Sequence, residues 1–191
     1  MSTVTRWTPQ LLRHAIWLSL TPTPTGAPNL PAAAAAAGVT TRSLQRWLAG
    51  TTRPSPQHAQ ALRDALAPPT TALASQAAEH RWAHNAAKVI AAPRGRGVSP
   101  AWRSRGWHRP HEVHVLSHEQ LGVHRVAVIL GDRVKPLYHP GGWQIVSTAI
   151  HPHRPAALLA REQLLTDHQD ARVDVRPGLL STGRHLCWLP W

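Results

Sequence analysis

The stretch Leu30–Gly50, LPAAAAAAGVTTRSLQRWLAG, decides how the first third of the chain is read. Asn29 is placed to cap a helix, and Pro31 is tolerated in a first helical turn because its missing N–H would find no intrahelical partner there. Ala32 to Ala37 predict a short helix with almost no side-chain bulk. Gly38 stops it, since glycine takes left-handed backbone without steric cost. Val39 follows as an apolar plug, and Thr40 or Thr41 caps the next helix. In that second helix Leu44, Trp47 and Leu48 recur at the three-and-four spacing of a buried stripe, which leaves Arg42, Ser43, Gln45 and Arg46 on the opposite side. The alanines let the second helix cross the first at close range. An alanine run also arises as low-complexity filler under GC-rich coding. The Gly–Val–Thr–Thr continuation and the leucine–tryptophan stripe favour the structured reading. Two helices joined this way, the second with an arginine–glutamine outer face, form an arrangement that presents a helix to the major groove of DNA.

At this point the segment resembles the helix-turn-helix of the phage-repressor (Xre/Cro/C1-like) family. The resemblance rests on Ala34, Gly38, Val39, Leu44 and Trp47, with Gly50 closing the second helix. Thr51-Thr52-Arg53-Pro54 and the amphipathic QHAQALRDALA after it resemble that family's following loop and helix, so the likeness covers roughly residues 8–67. The family joins its first two helices by a short turn, whereas LTPTPTGAPN intervenes here. The resemblance implies an all-α DNA-binding domain over residues 1–70 and a recognition helix over 41–49. Arg42, Gln45 and Arg46 would read base edges, because arginine pairs with guanine and glutamine with adenine in bidentate fashion. Thr40, Thr41, Ser43 and Arg53 would position the phosphates.

Charge is distributed in the same sense. The 191 residues carry a formal net charge of +12. Residues 1–70 hold six Lys+Arg against one acid, residues 71–111 seven against one, and residues 112–191 eight against seven. The net values are +5, +6 and +1, which sum to +12. Nineteen Arg against two Lys reflects a GC-rich coding bias, but that bias does not explain why the last 80 residues are balanced. A polyanion partner for the first 111 residues is the economical account.

Residues 8–20 predict a first helix, started by Thr8-Pro9 and carrying an apolar face of Leu11, Leu12, Ala15, Ile16 and Leu20. Pro68-Pro69 ends the N-terminal unit. Residues 71–92 predict a connecting helix, and Pro93–Pro110 reads as a basic linker with Trp102 and Trp107 among its arginines. Within it Pro93-Arg94-Gly95-Arg96 resembles an AT-hook core, with Gly97 in place of the final proline. Arg94, Arg96, Arg103 and Arg105 are candidate DNA contacts, since arginine is drawn to the negative potential of narrow minor grooves. The other reading of the linker is a solvated tether whose tryptophans dock on a neighbouring domain.

Residues 112–191 predict a small α+β domain. EVHVLSH, HRVAVILG and WQIVSTAIH read as antiparallel strands, RPAALLAREQLLTDHQ as an amphipathic helix, and ARVDVRP and GRHLCWLPW as two short strands. The whole chain is therefore expected to be α+β: an N-terminal helix-turn-helix domain, a connecting helix with a basic linker over 71–111, and an antiparallel sheet domain. Self-association as a homodimer or additional DNA contact are the roles considered for that last domain.

Histidine is the one feature that could support catalysis or metal binding. Of fourteen, eight are concentrated at His108, His111, His114, His118, His124, His139, His151 and His153. Glu112, His114 and His118 would share one strand face. No metalloprotease or paired-cysteine spacing accompanies them, and Cys187 is the single cysteine. His151-Pro152-His153 loosely resembles the paired histidines of rolling-circle nucleases, but proline separates them and Tyr138 is the single tyrosine. No catalytic residue, metal ligand or cofactor is assigned. No secretory signal is visible, and the apolar run Leu11–Leu20 is short and broken by Arg13 and His14, so a cytoplasmic protein with no membrane partner is expected. The function expected is sequence-specific binding of double-stranded DNA by a phage- or plasmid-type repressor. Two alternatives stay open: a DNA-processing, replication or DNA-end-binding protein with metal- or tyrosine-dependent chemistry in the C-terminal part, and a non-specific architectural nucleic-acid-binding protein.

Overall fold

A computed structural model describes residues 7–91, 98–131, 142–180 and 183–190. The chain is α+β, with seven α-helices and five strands among those residues. They divide into two compact units. One runs through Pro69 and takes in Asp170–Leu189; the other is Thr70–Gln169 with Pro190.

The first unit is built from four capped helices. Helix α1, Pro9–Ser19, starts at Thr8, whose hydroxyl accepts from the N–H of Leu11. Helix α2, Leu30–Ala36, starts at Asn29, which accepts from Ala32 N–H at 3.1 Å and donates to Thr21 O at 3.2 Å. The same asparagine thus caps the helix and closes the loop before it. That loop is internally bonded, with Thr23 N–H on Ala27 O and Gly26 N–H on Thr23 O. Helix α3, Thr41–Leu48, starts at Thr40, and helix α4, Pro56–Leu66, at Ser55. Each of these caps satisfies an N–H that the first turn leaves without a partner. The core between the helices is Leu12, Ala15, Ile16 and Leu18 of α1, Ala33 and Ala34 of α2, Leu44, Trp47 and Leu48 of α3, and Ala59, Leu62 and Leu66 of α4.

The second unit holds α5, Thr70–Ala91, α6, Pro100–Ser104, and α7, Arg154–Asp167. Its sheet is β1, His111–His118, flanked by β2, Val123–Leu130, and β3, Trp143–His151. Both pairings are antiparallel, and β3 lies at the end of the order β3-β1-β2. Helix α7 packs on α5 and on this sheet. Arg161, nearly buried, joins Glu79 of α5 at 2.8 Å and also bonds Glu162, while Gln76 of α5 donates to Glu162. A buried cation is tolerable here because two carboxylates meet its fork.

Two features were not given by composition alone. Part of the linker is structured: Ser99 caps α6, and Trp102 and Trp107 pack edge-on against Trp82 of α5, ring centres 5.6 and 5.2 Å apart. Three large aromatic surfaces that bury one another outweigh the glycine–proline composition of the segment. Second, residues 170–189, expected in the C-terminal domain, cluster with the N-terminal helices, although the two short strands they carry belong to the same five-stranded antiparallel sheet as β1, β2 and β3. The reason is a set of bonds invisible in composition. Arg176 donates its side chain to the carbonyls of Trp17 and Leu20, its N–H bonds Leu18 O, and its guanidinium lies 4.8 Å over the Trp17 ring. Asp174 N–H bonds Leu66 O. Strands β4, Arg172–Val173, and β5, Cys187–Trp188, pair antiparallel within this segment.

Candidate nucleic-acid interface

The turn between α2 and α3 is closed by two hydrogen bonds: Val39 N–H to Ala34 O at 2.9 Å and Gly38 N–H to Ala35 O at 3.2 Å. Together with φ of +64° at Gly38, this is a Schellman termination. The end of α3 repeats the device. Thr51 N–H reaches Arg46 O and Gly50 N–H reaches Trp47 O, with φ of +72° at Gly50. The Thr40 cap at its start and this termination at its end fix α3 at eight residues.

Its side chains divide cleanly. Leu44, Trp47 and Leu48 are buried, and Trp47 meets the His58 ring of α4 at 5.5 Å. Arg42, Gln45, Arg46 and Ala49 are exposed and follow one another at three-and-four spacing, so they share one outer face. Thr40 and Arg53 are exposed too, whereas Thr41 and Ser43 are half-buried. Thr40 accepts from Ser43 N–H at 3.1 Å, and the two hydroxyls meet at 3.0 Å. Those two side chains are engaged in the cap. The exposed residues of α2 are Pro31, Ala35 and Ala36.

Up to Asp64 the sequence is one-signed. The first acidic residue in the chain is Asp64, and Gln60 of the same helix donates to it at 2.8 Å. Arg13, Arg42, Arg46 and Arg53 therefore have no carboxylate among the first 63 residues. Two clefts adjoin α3. One of about 610 Å³ is lined by Gln10, Arg13, His14, Trp17, Pro28 and Leu48. The other, of about 310 Å³, includes Trp47, Gly50, Thr52 and Arg53. Gln10 and Arg13 were not among the residues singled out from the sequence. The signal was present: both fall on the side of α1 opposite Leu12, Ala15 and Ile16.

The remaining candidates lie elsewhere. Arg103 and Arg105 are exposed in the second unit, and Arg105 stacks over Trp107 at 5.0 Å. Arg94 and Arg96 lie outside the described residues, as do Tyr138 and His139.

The histidines are distributed over separate tasks. His114 Nε2 donates to Glu112 at 2.6 Å. His118 accepts from Leu121 N–H and meets Trp143 edge-on at 5.0 Å, while His111 donates to Arg109 O. His153 caps α7 by accepting from Ala156 N–H at 3.1 Å. Burial pushes the His153 pKa down, against a backbone hydrogen bond that raises it and with a smaller lowering from His151. Burial, then His168, pushes His124 down. Among the described residues no group of three or more His, Cys, Asp or Glu is gathered as a metal would require. Among the same residues no helix is long and apolar enough to cross a membrane.

Comparison with family models, with curated proteins and with solved structures finds no match to this chain.

Proposed function

We propose that this protein is a sequence-specific double-stranded DNA-binding regulator, of the phage- or plasmid-repressor type, that inserts α3 into the major groove. The observation that carries the reading is the division of α3: a stripe of Leu44, Trp47 and Leu48 anchored in the core, and an outer face of Arg42, Gln45 and Arg46. Bidentate pairing gives Arg42 and Arg46 a guanine preference and Gln45 an adenine preference. Arg53 and Thr41 serve the phosphates, and Arg13 extends the same positive surface. Thr40 and Ser43 act chiefly through the cap, holding the first turn of α3 in position.

An architectural reading would lean on the arginine–tryptophan segment. Its tryptophans are spent on one another and on Trp82, which leaves the exposed Arg103 and Arg105 as backbone contacts rather than a base-stacking platform.

Selection of bound duplexes from a random pool tests the proposal. A defined motif is expected, and Arg42→Ala and Gln45→Ala should each relax preference at one position of it. Binding without any preferred motif, or the same motif for both variants, would overturn the assignment of α3.

A further inference from the structure

Strand β3 is exposed in a way that no other strand of the second unit is. Gln144–Ile150 are exposed without a break, and Ile145, Val146 and Ile150 expose 48%, 56% and 73% of their surface. Its neighbour β1 is largely buried, and among the described residues of the unit β3 pairs with β1 alone. The outer edge of β3 therefore presents a row of backbone N–H and C=O groups to solvent.

Edges left open in lone proteins are blunted with lysine, proline or inward-pointing charge. The segment WQIVSTAIH contains no proline and no Asp, Glu, Lys or Arg, in a chain of net charge +12. The register slips once, between Val115 and Leu116, which leaves Val146 unopposed. Beyond that bulge Ser147–His151 runs in unbroken register against β1.

We infer that β3 is a self-association edge, and that a second copy of this chain pairs with it antiparallel to continue the sheet. An uncharged strand offers neither DNA nor an acidic partner anything to hold. It is also the place where two copies of a +12 chain meet with least repulsion. An identical strand supplies a complementary edge by two-fold symmetry, and the pairing consumes both edges, so the assembly stops at two. The regular segment fixes the register: Ala149 sits at the two-fold axis, Thr148 faces the partner's Ile150, and Ser147 faces the partner's His151. Five paired residues and one exposed isoleucine per copy bury far less than the roughly 1,600 Å² of a standard interface. The dimer is accordingly weak and reversible, and it forms whether or not α3 enters DNA.

Sedimentation of the full chain across the micromolar range tests this at two salt concentrations. A reversible monomer–dimer equilibrium is expected, tighter at high salt because screening relieves the repulsion between the copies. Thr148→Lys and Ile150→Lys should each weaken it by about ten-fold or more, since either variant places two lysines, one per copy, diagonally across the two-fold axis, where they repel. Both side chains are exposed, and unchanged circular dichroism would show that the variants fold. As a second readout on the unaltered chain, amide exchange over Ser147–His151 should slow as concentration rises. A monomer at every concentration, a dimer indifferent to both lysines, or open-ended assembly would overturn the inference.

Discussion

Helix α3 and strand β3 both present exposed residues, yet they are exposed for opposite reasons. Helix α3 has two sides, with Leu44, Trp47 and Leu48 in the core and Arg42, Gln45 and Arg46 outside. Its outer face is charged because that face has no packing to do. Strand β3 has no buried side between Gln144 and Ile150, and it is held by its ladder to β1. It is nevertheless uncharged and rich in β-branched residues. The contrast teaches that exposure alone does not define a surface. The charge it carries, weighed against the charge of the rest of the chain, selects the partner it suits.

The largest effect should come from cutting the anchor of α3. Leu44 is fully buried, so Leu44→Ala should cost about 2–5 kcal/mol of stability and abolish DNA binding with it. Chemical denaturation read by tryptophan fluorescence measures the loss. Next comes the outer face. Arg42→Ala should cost about 1–3 kcal/mol at a selected site. Stability should stay within about 0.5 kcal/mol of the original. Equal losses of stability and binding would erase the division between the two sides of α3.

Gly38→Ala sharpens the same comparison at the turn. A Cβ there meets nothing within 4 Å, so the cost is the left-handed backbone alone, about 1–2 kcal/mol. Thermal melting should resolve it. The smallest effect concerns His153. Its pKa is lowered in the fold from the ordinary 6.5, so the unfolded chain holds the proton more tightly. The stability it contributes is full above 6.5 and is lost as pH falls through the lowered value. Protonation also silences the Nδ1 acceptor that caps α7. His153→Asn keeps an acceptor without a titration and should flatten the acid-side decline relative to the original chain, measured as melting temperature against pH.

What could be read from sequence was local. Thr8, Asn29 and Thr40 are side chains that cap by bonding two or three residues ahead, so their helices began where the residues said. The arginine face of α3 followed from helical spacing alone. What could not be read was long-range or conformationally unusual. Arg176 reaches α1 across more than 150 residues of chain, and no pattern near it announces Trp17 as its partner. His153 caps a helix with a residue type outside the usual set. Docking of Trp102 and Trp107 was one of two readings of their segment, but nothing near them named Trp82 of α5 as the ring they pack against. Uninterrupted exposure of β3 was hidden as well, because its β-branched run is what a half-buried strand would also show.

Residues 170–189 close against α1 and α4, and this has a consequence in time. A ribosome delivers the four helices of the first unit early and the segment that locks them late. Until Arg176 and Asp174 have emerged, Trp17, Leu18, Leu20 and Leu66 lack the groups that bond their carbonyls or cover their surface. Synthesis thus sets an order: the sheet unit is translated while the helical one waits. A nascent chain stalled before residue 170 would carry the arginine face without the clamp that steadies the helices behind it.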